Sequence, residues 1–426
     1  MKKIALLASL ALLLLAPVAN ATSYVMMADE DLVDGARVIA RARVTEARAI
    51  AVGDTPYTEY LLEVEDGIKG VAAGEQLRVR LIGGIRPDGI GLKIWGVPEF
   101  TVDQSVIAFL IHDGRGGWAF EQLALGAFRI GRTAEGREVA VRDLSEVTEV
   151  QMDTELRRQR ARSLAQAHLP RDAGDFATWL RARVAGDKRE PDYFLSEADR
   201  PVEDARQAFT LLQSGGRNIR WSEFTSPGGS VDWFMYRKGQ KGLGKKGKNS
   251  IQNALRAWSR IFNINFRFAG KNNNTNAFTT FDQVNTIAFN DPAGDIDGAF
   301  NCSSGGVLAI GGPWFGSTLD GNFIKALAAD IVFQDNLACF FNNGVARLDG
   351  EARSLKKGDT VAGEITAHEI GHTLGLGHSC VNTVPCGNKK QNDALMRWAV
   401  HNDGRGAVIK PDDKKGAKKL GYKGGS

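Results

Sequence analysis

The chain has 426 residues, 24% of them charged, and a formal net charge of only +4. Its composition is that of an ordinary globular protein, and its length exceeds what one core normally serves, so two or three domains are expected. The basic surplus is local: Arg237, Lys238, Lys241, Lys245, Lys246 and Lys248 crowd one Gly-rich stretch, and Lys414, Lys415, Lys418, Lys419 and Lys423 crowd the C-terminus. No aromatic residues are interleaved with them as a base-stacking platform requires, which excludes nucleic acid as the expected partner.

The chain opens with Met1-Lys2-Lys3, an apolar run from Ile4 to Pro17, and Ala19-Asn20-Ala21. That is the charge, apolar core and small-x-small order of an export signal, with cleavage expected after Ala21. The run is shorter than a bilayer span and ends in Pro17, and no later stretch is long and apolar enough to cross. Residues 1–21 are therefore expected to be a signal peptide, and the remaining chain a secreted or periplasmic bacterial protein with no membrane partner.

Residues 22–140 are expected to form a small all-β domain, sandwich or barrel. Apolar and β-branched runs at Val38–Val44, Glu59–Val64, Gln76–Ile82, Ser105–Ile111 and Trp118–Ile130 are separated by Gly, Asp and Pro clusters. Alternation in Leu77-Arg78-Val79-Arg80-Leu81 predicts strands with one solvated face. Residues 141–210 then read as a helical connector or prosegment, Arg-rich over Thr154–Ala167 and again helix-favouring over Asp172–Val184. There Phe176, Trp179, Leu180 and Val184 fall on one helical face.

Residues 211–426 read as a further, mixed α and β domain. Val231, Trp233 and Met235 alternate as a strand, and Ile251, Leu255, Trp258 and Phe262 recur at helical spacing, with Ser250 or Asn249 as the expected cap. Strands are expected at Phe266 to Phe268, Thr286–Phe289, Gly306–Ile310 (edge-like) and Ala329–Phe333, a β-α-β-β-β order leading into a helix. All four cysteines, Cys302, Cys339, Cys380 and Cys386, lie in this region. An even count in an exported chain favours disulfides. Of three connectivities, Cys302 with Cys339 and Cys380 with Cys386 is preferred, because the second pair closes a short loop directly after His378. A zinc-ligand role for them is weaker, since no Cys-x-x-Cys pair occurs.

The chemistry concentrates at residues 368–378. Thr366–Leu374 reads as helix, on which His368 and His372 sit about 40° apart and roughly 6 Å along the axis, so two imidazoles can grip one ion. Glu369 projects toward the open side, where it can act as general base on the attacking water. A continued helix would carry His378 about 240° round and roughly 9 Å farther along. Gly375 is suited to end the helix in a left-handed turn and bring His378 back as the third ligand. Three nitrogen ligands leave a coordination position open, the mark of a catalytic zinc site. By chance these five positions would match on the order of once in a hundred thousand chains of this size. His112, His168 and His401 lack such spacing and read as ordinary surface or core residues.

With Ser379 following His378, this stretch resembles the metzincin clan, and specifically the matrixin family of metalloproteases. The resemblance extends over about Trp221 to Tyr422. Ala394-Leu395-Met396 is similar to the family's Met-turn, with Met396 as the apolar floor beneath zinc, and Asp412-Asp413 with Lys419-Leu420-Gly421-Tyr422 is similar to its closing helix. Ala329–Phe333 resembles a family strand, and Val307, Leu308 and Ala309 resemble the edge strand to which an extended substrate adds. Arg397 and Trp398 would line the primed-side pocket.

The resemblance implies a multidomain chain whose α+β catalytic domain, a twisted mixed sheet with an active-site helix, follows the all-β domain and the connector. It implies one catalytic Zn2+ and protein or peptide substrates, says nothing of oligomeric state, and leaves any calcium unassigned because segment 311–360 is long and contains Cys339, so that calcium sites cannot be carried over onto it. It also has a departure: no cysteine precedes Cys302, so latency through a propeptide thiol cannot operate. The expected activity is peptide-bond hydrolysis by metal-activated water with Glu369 as general base. The competing expectation is a secreted binding or adhesion protein whose β domain works and whose metalloprotease domain is inactive.

Overall fold

The computed structural model describes residues 22–152, 155–159, 161–201, 211, 213–344, 357–380, 386–401 and 403–422. The export signal, its cleavage site and Lys423 lie outside them.

The described chain begins with a short strand β1 (Thr22–Val25) and helix α1 (Asp29–Gly35), then runs through β2 (Val38–Val52), β3 (Thr55–Lys69), β4 (Gln76–Ile82), β5 (Gly84–Ile85), β6 (Gly91–Leu92), β7 (Ser105–His112), β8 (Trp118–Phe120), β9 (Ala127–Arg132) and β10 (Glu138–Arg142). Strand β11 (Thr148–Glu149), helices α2 (Glu155–Gln159) and α3 (Ala161–Gln166), β12 (Arg171–Asp172) and α4 (Ala173–Val184) follow. Eight of these strands form a sheet in the order β12-β10-β9-β7-β2-β3-β4-β8. Because β8 pairs with both β4 and β7, strands β7-β2-β3-β4-β8 close on themselves. The expected run Trp118–Ile130 is not one strand. It breaks at Gln122 and Leu123, both in the left-handed region with φ of 55° and 54°, and a 3₁₀ turn separates β8 from β9.

Helix α4 buries Phe176, Trp179 and Leu180 against Phe109, Phe128 and Tyr193 of this half, whereas Val184 at the helix end is exposed, contrary to its place on the expected stripe. Asp172 caps the helix, accepting from the N–H groups of Gly174 and Asp175. Nearby, a buried ion cluster fixes α1 to the sheet. The Asp29 carboxylate accepts from Arg142 at 2.5 Å, from Arg171 at 2.7 and 2.9 Å, and from the Tyr193 hydroxyl at 2.9 Å.

The C-terminal half contributes β13 (Gln213–Ser214), β14 (Arg217–Arg220), β15 (Val231–Tyr236), α5 (Lys248–Trp258), β16 (Phe266–Asn272), β17 (Asn285–Ala288), β18 (Gly306–Asp320), β19 (Phe323–Phe333), α6 (Lys357–Thr373), α7 (Lys389–Asn392) and α8 (Pro411–Lys419). Its sheet has the order β11-β1-β18-β19-β17-β15-β16, mixed in direction, with β18 and β19 antiparallel and β19, β17, β15 and β16 parallel. Helix α5 buries Ile251, Ala254, Leu255 and Trp258 on the helical face of this sheet. Neither Ser250 nor Asn249 caps it. Gly247, at φ 95°, precedes the first turn, and the Ser250 hydroxyl instead donates to Asp359 at the start of α6. Phe262 lies beyond the helix end and is half-buried.

The opposite face of the catalytic sheet is not open to solvent. Val307, Ile310, Trp314, Ala328 and Val332 share one continuous core with Val44, Leu62, Val79, Val106 and Phe120 of the N-terminal half. The two halves are thus packed through a common apolar interior, and β6 adds to β18 through Leu92 and Gly91, opposite Trp314 and Phe315.

Both expected disulfides form, Cys302–Cys339 with Cα atoms 6.2 Å apart and Cys380–Cys386 at 5.2 Å.

Candidate metal centre

Helix α6 begins at Lys357, nine residues ahead of the expected Thr366, and its final turns carry His368, Glu369 and His372, all fully buried. Two backbone carbonyls set the two imidazoles. The Nδ1 of His368 is 2.8 Å from the Leu395 carbonyl oxygen and that of His372 is 2.8 Å from the Leu376 carbonyl oxygen. A carbonyl can only accept, so each Nδ1 carries the proton and each Nε2 presents a lone pair to the centre.

His378 arrives through the turn at Gly375, whose φ is 99°. The N–H groups of Gly375 and Leu376 close on the His372 and Gly371 carbonyls at 2.8 and 3.1 Å, the bonds of a helix terminated in a left-handed residue. Around that end, Trp221 Nε1 donates to the Thr373 carbonyl and the Tyr422 hydroxyl to the Leu374 carbonyl, each at 2.7 Å. A Cβ at Gly375 would stand 2.3 Å from the Ile219 carbonyl oxygen. Gly375→Ala is therefore expected to cost about 1–2 kcal/mol for the left-handed backbone alone, with the clash added. Zinc affinity should fall with it, which titration against a chromogenic chelator would measure.

The three imidazole donors lie within 4.8 Å of one another, and the Nε2 atoms of His368 and His378 are only 3.1 Å apart. Burial lowers the His368 imidazole to about 4 and holds His372 and His378 well below their ordinary value, so all three stay neutral and able to ligate. Among the described residues, His372 Nε2 and Glu369 Oε2 are buried with no hydrogen-bond partner. Convergent neutral nitrogens beside an unsatisfied buried carboxylate are what a dication would satisfy, and the donor set fits zinc. Burial raises the Glu369 carboxyl to about 8, opposed by its hydrogen bond from Ser23, and the positive charge of a dication held by the three imidazoles would lower it again toward the ionised form that a base requires.

Met396 is buried beneath α6. A Cβ at Gly371 would come within 2.3 Å of its sulfur and 2.8 Å of the Trp258 ring, so only glycine lets this helix face settle on the methionine. The Asp413 carboxylate accepts from the N–H groups of Leu395 and Met396, each at 3.0 Å, and of Lys410 at 2.7 Å, holding the turn whose Leu395 carbonyl orients His368. Burial nonetheless raises this carboxyl to about 6. The other histidines stand apart from the centre: His401 pairs with Glu364 at 2.8 Å, His168 with Glu149 at 2.9 Å, and His112 stacks on Trp118.

Val307, Leu308 and Ala309 lie in β18, but that strand is not an edge. Strand β1 pairs with it antiparallel, Thr22 opposite Ile310, Ser23 opposite Ala309, Tyr24 opposite Val307 and Val25 opposite Gly306. Strand β11 lies parallel to β1 on its other side and reaches the opposite wall, where Glu149 N–H donates to the Trp398 carbonyl at 2.8 Å and Val400 N–H to the Glu149 carbonyl at 2.9 Å. The Ser23 hydroxyl donates to Glu369 Oε1 at 2.6 Å. Thr148 Oγ1 lies 2.7 Å from the Nε2 of both His368 and His378. The Trp95 ring is parallel to that of His372, 6.5 Å away. No motif marks Ser23, Thr148 or Trp95, and sequence reasoning missed all three; Gly371 it passed over although it lies inside the motif.

A search of curated proteins finds no match to the chain. Residues 227–422 match the matrixin family model, so this part of the chain is matrixin-like and supports the identification of a zinc metalloendopeptidase.

Proposed function

We propose that the chain is an exported endopeptidase that hydrolyses peptide bonds in protein substrates, with Glu369 as general base. The observation that carries this is the convergence of three neutral imidazole nitrogens on one point beside the Glu369 carboxylate. His368, His372 and His378 would hold the zinc ion. When bound, zinc supplies Lewis-acid polarisation of the scissile carbonyl and makes water acidic enough to attack at neutral pH.

The chain's own residues supply the rest. Glu369 takes the proton of the attacking water on its carboxylate and returns it to the leaving amine, so its oxygens must face the cleft rather than bind the metal. Strand β18 would offer its backbone groups to an extended peptide only where β1, which pairs along it, gives way. The Asp413-held turn at Leu395 and the Leu376 carbonyl fix the His368 and His372 imidazoles in one tautomer. The Lys-Lys, apolar and Ala-x-Ala start, together with two disulfides, supports export.

The protein is expected to bind one zinc ion per chain. Hydrolysis of casein, gelatin or a peptide library, by the purified chain or after limited proteolysis of its N-terminal half, should stop on chelation and return with added zinc. Cleavage indifferent to a chelator would sink the reading.

A further inference from the structure

The flank of β18 and the mouth of the imidazole triad are filled by the chain itself. Strand β1 forms the ladder on β18, β11 joins β1 to the opposite wall at Trp398–Val400, and the two cleft strands are tied to each other by Val150 N–H donating to the Tyr24 carbonyl at 2.7 Å. Thr22, Ser23, Tyr24, Val25 and Thr148 are all buried there. The two hydroxyls take up the two reactive groups: Ser23 is bonded to the carboxylate oxygen of Glu369, and Thr148 stands at the mouth of the imidazole triad.

We infer that the N-terminal half holds the peptidase latent from within the chain, β1 occupying the strand position of the substrate and the Thr148 hydroxyl the coordination position left for water. This rests on the peptidase reading above. A neutral alcohol is a far weaker zinc ligand than a thiolate, so the metal contact by itself cannot keep the cleft shut. The holding force comes from the backbone ladders on both walls and from the ion cluster behind them. Asp29 follows β1 by four residues and Arg142 precedes β11 by six, so the buried Asp29–Arg142 pair pins the two cleft strands at once. Two further bonds fix the exit from β1: Arg142 donates to the Met27 carbonyl at 3.1 Å and Arg157 to the Met26 carbonyl at 2.8 Å. A chain with no thiol ahead of Cys302 thus has a different latch, built from strand addition and a hydroxyl.

The test uses the full chain with Co2+ in place of zinc and the single variant Thr148→Cys. If position 148 faces the metal, the variant acquires a sulfur-to-cobalt charge-transfer band in the near ultraviolet that the parent lacks. In parallel, Ser23→Gly combined with Thr148→Gly removes both hydroxyl contacts and is expected to raise kcat/KM on a short peptide roughly tenfold by shifting the closed and open populations. Ser23→Gly alone keeps the test informative where the double variant does not fold. A variant without the band, together with a parent chain that cuts peptides as fast as Ser23→Gly, overturns the latch and leaves the peptidase standing. The band without hydrolysis by any form, proteolysed protein included, upholds the placement of Thr148 and overturns the peptidase reading.

Discussion

Replacement of Glu369 by glutamine is expected to lower kcat/KM by roughly 10²- to 10⁴-fold, the range that a positioned general base contributes. The substitution keeps the shape of the side chain and its ability to accept from Ser23, so the fold and the cleft strands should be undisturbed. The amide cannot take a proton, and the loss should fall on kcat. Zinc content, read by elemental analysis, should remain at one ion per chain, because Glu369 is not among the three grouped donors. That separates it from His372→Ala, which removes a donor and should lose the ion. A Glu369→Gln protein that retains its parent's kcat would show that the base lies elsewhere.

Replacement of Asp29 by alanine should cost about 3–5 kcal/mol, the range for stripping one partner from a buried ion cluster. Two guanidinium groups, Arg142 and Arg171, would be left buried around the gap, and Tyr193 would lose its acceptor. Denaturant unfolding followed through Trp179, which packs in the same region, would show the N-terminal half melting earlier than in the parent. The pH dependence has a definite sign. Burial alone would raise the Asp29 carboxyl, but the attraction of Arg171 and then Arg142 outweighs it and holds the group below its ordinary value. The contribution is therefore present above the unfolded carboxylate pKa of about 3.9 and is lost as pH falls through the lower folded value. Acid below about pH 4 should thus weaken this half in the parent and have little further effect on Asp29→Ala. A variant as stable as its parent would show the cluster to be neutral in energy.

The part of the site legible in the sequence is the part built from local geometry. Helical phase sets His368 against His372, and a glycine at the helix end returns His378, so 11 consecutive residues carry the information. The downstream Met396 followed from its order after the motif. Ser23 and Thr148 were not legible because their contacts span 346 and 220 residues and their side chains are of common type. The same cause explains why β18 reads as an edge: the strand that covers it comes from the opposite end of the chain. In the N-terminal half, apolar and β-branched runs marked β2, β3, β4 and β7 and, as one run, β8 with β9, but not β1, β5, β6, β10, β11 or β12, and the break at Gln122 and Leu123 depends on two left-handed residues that carry no glycine signal. Val184 fitted a helical stripe by spacing, yet it is the last residue of the helix and meets solvent, while the burial of that face stops at Leu180.

The core shared between the two halves makes scission and separation different events. Val307, Ile310, Trp314, Ala328 and Val332 are covered by residues from the N-terminal half, and baring large side chains of this kind costs on the order of 2 kcal/mol each. A cut between the halves should therefore yield two polypeptides that run apart on a denaturing gel but travel as one particle through a sizing column. The mass of a processed subunit would then report the state of the peptide backbone and not that of the cleft. Exposure of the centre would require both β1 and the Thr148 segment of β11 to move, while the larger part of that half stayed in place as a permanent lining of the catalytic sheet.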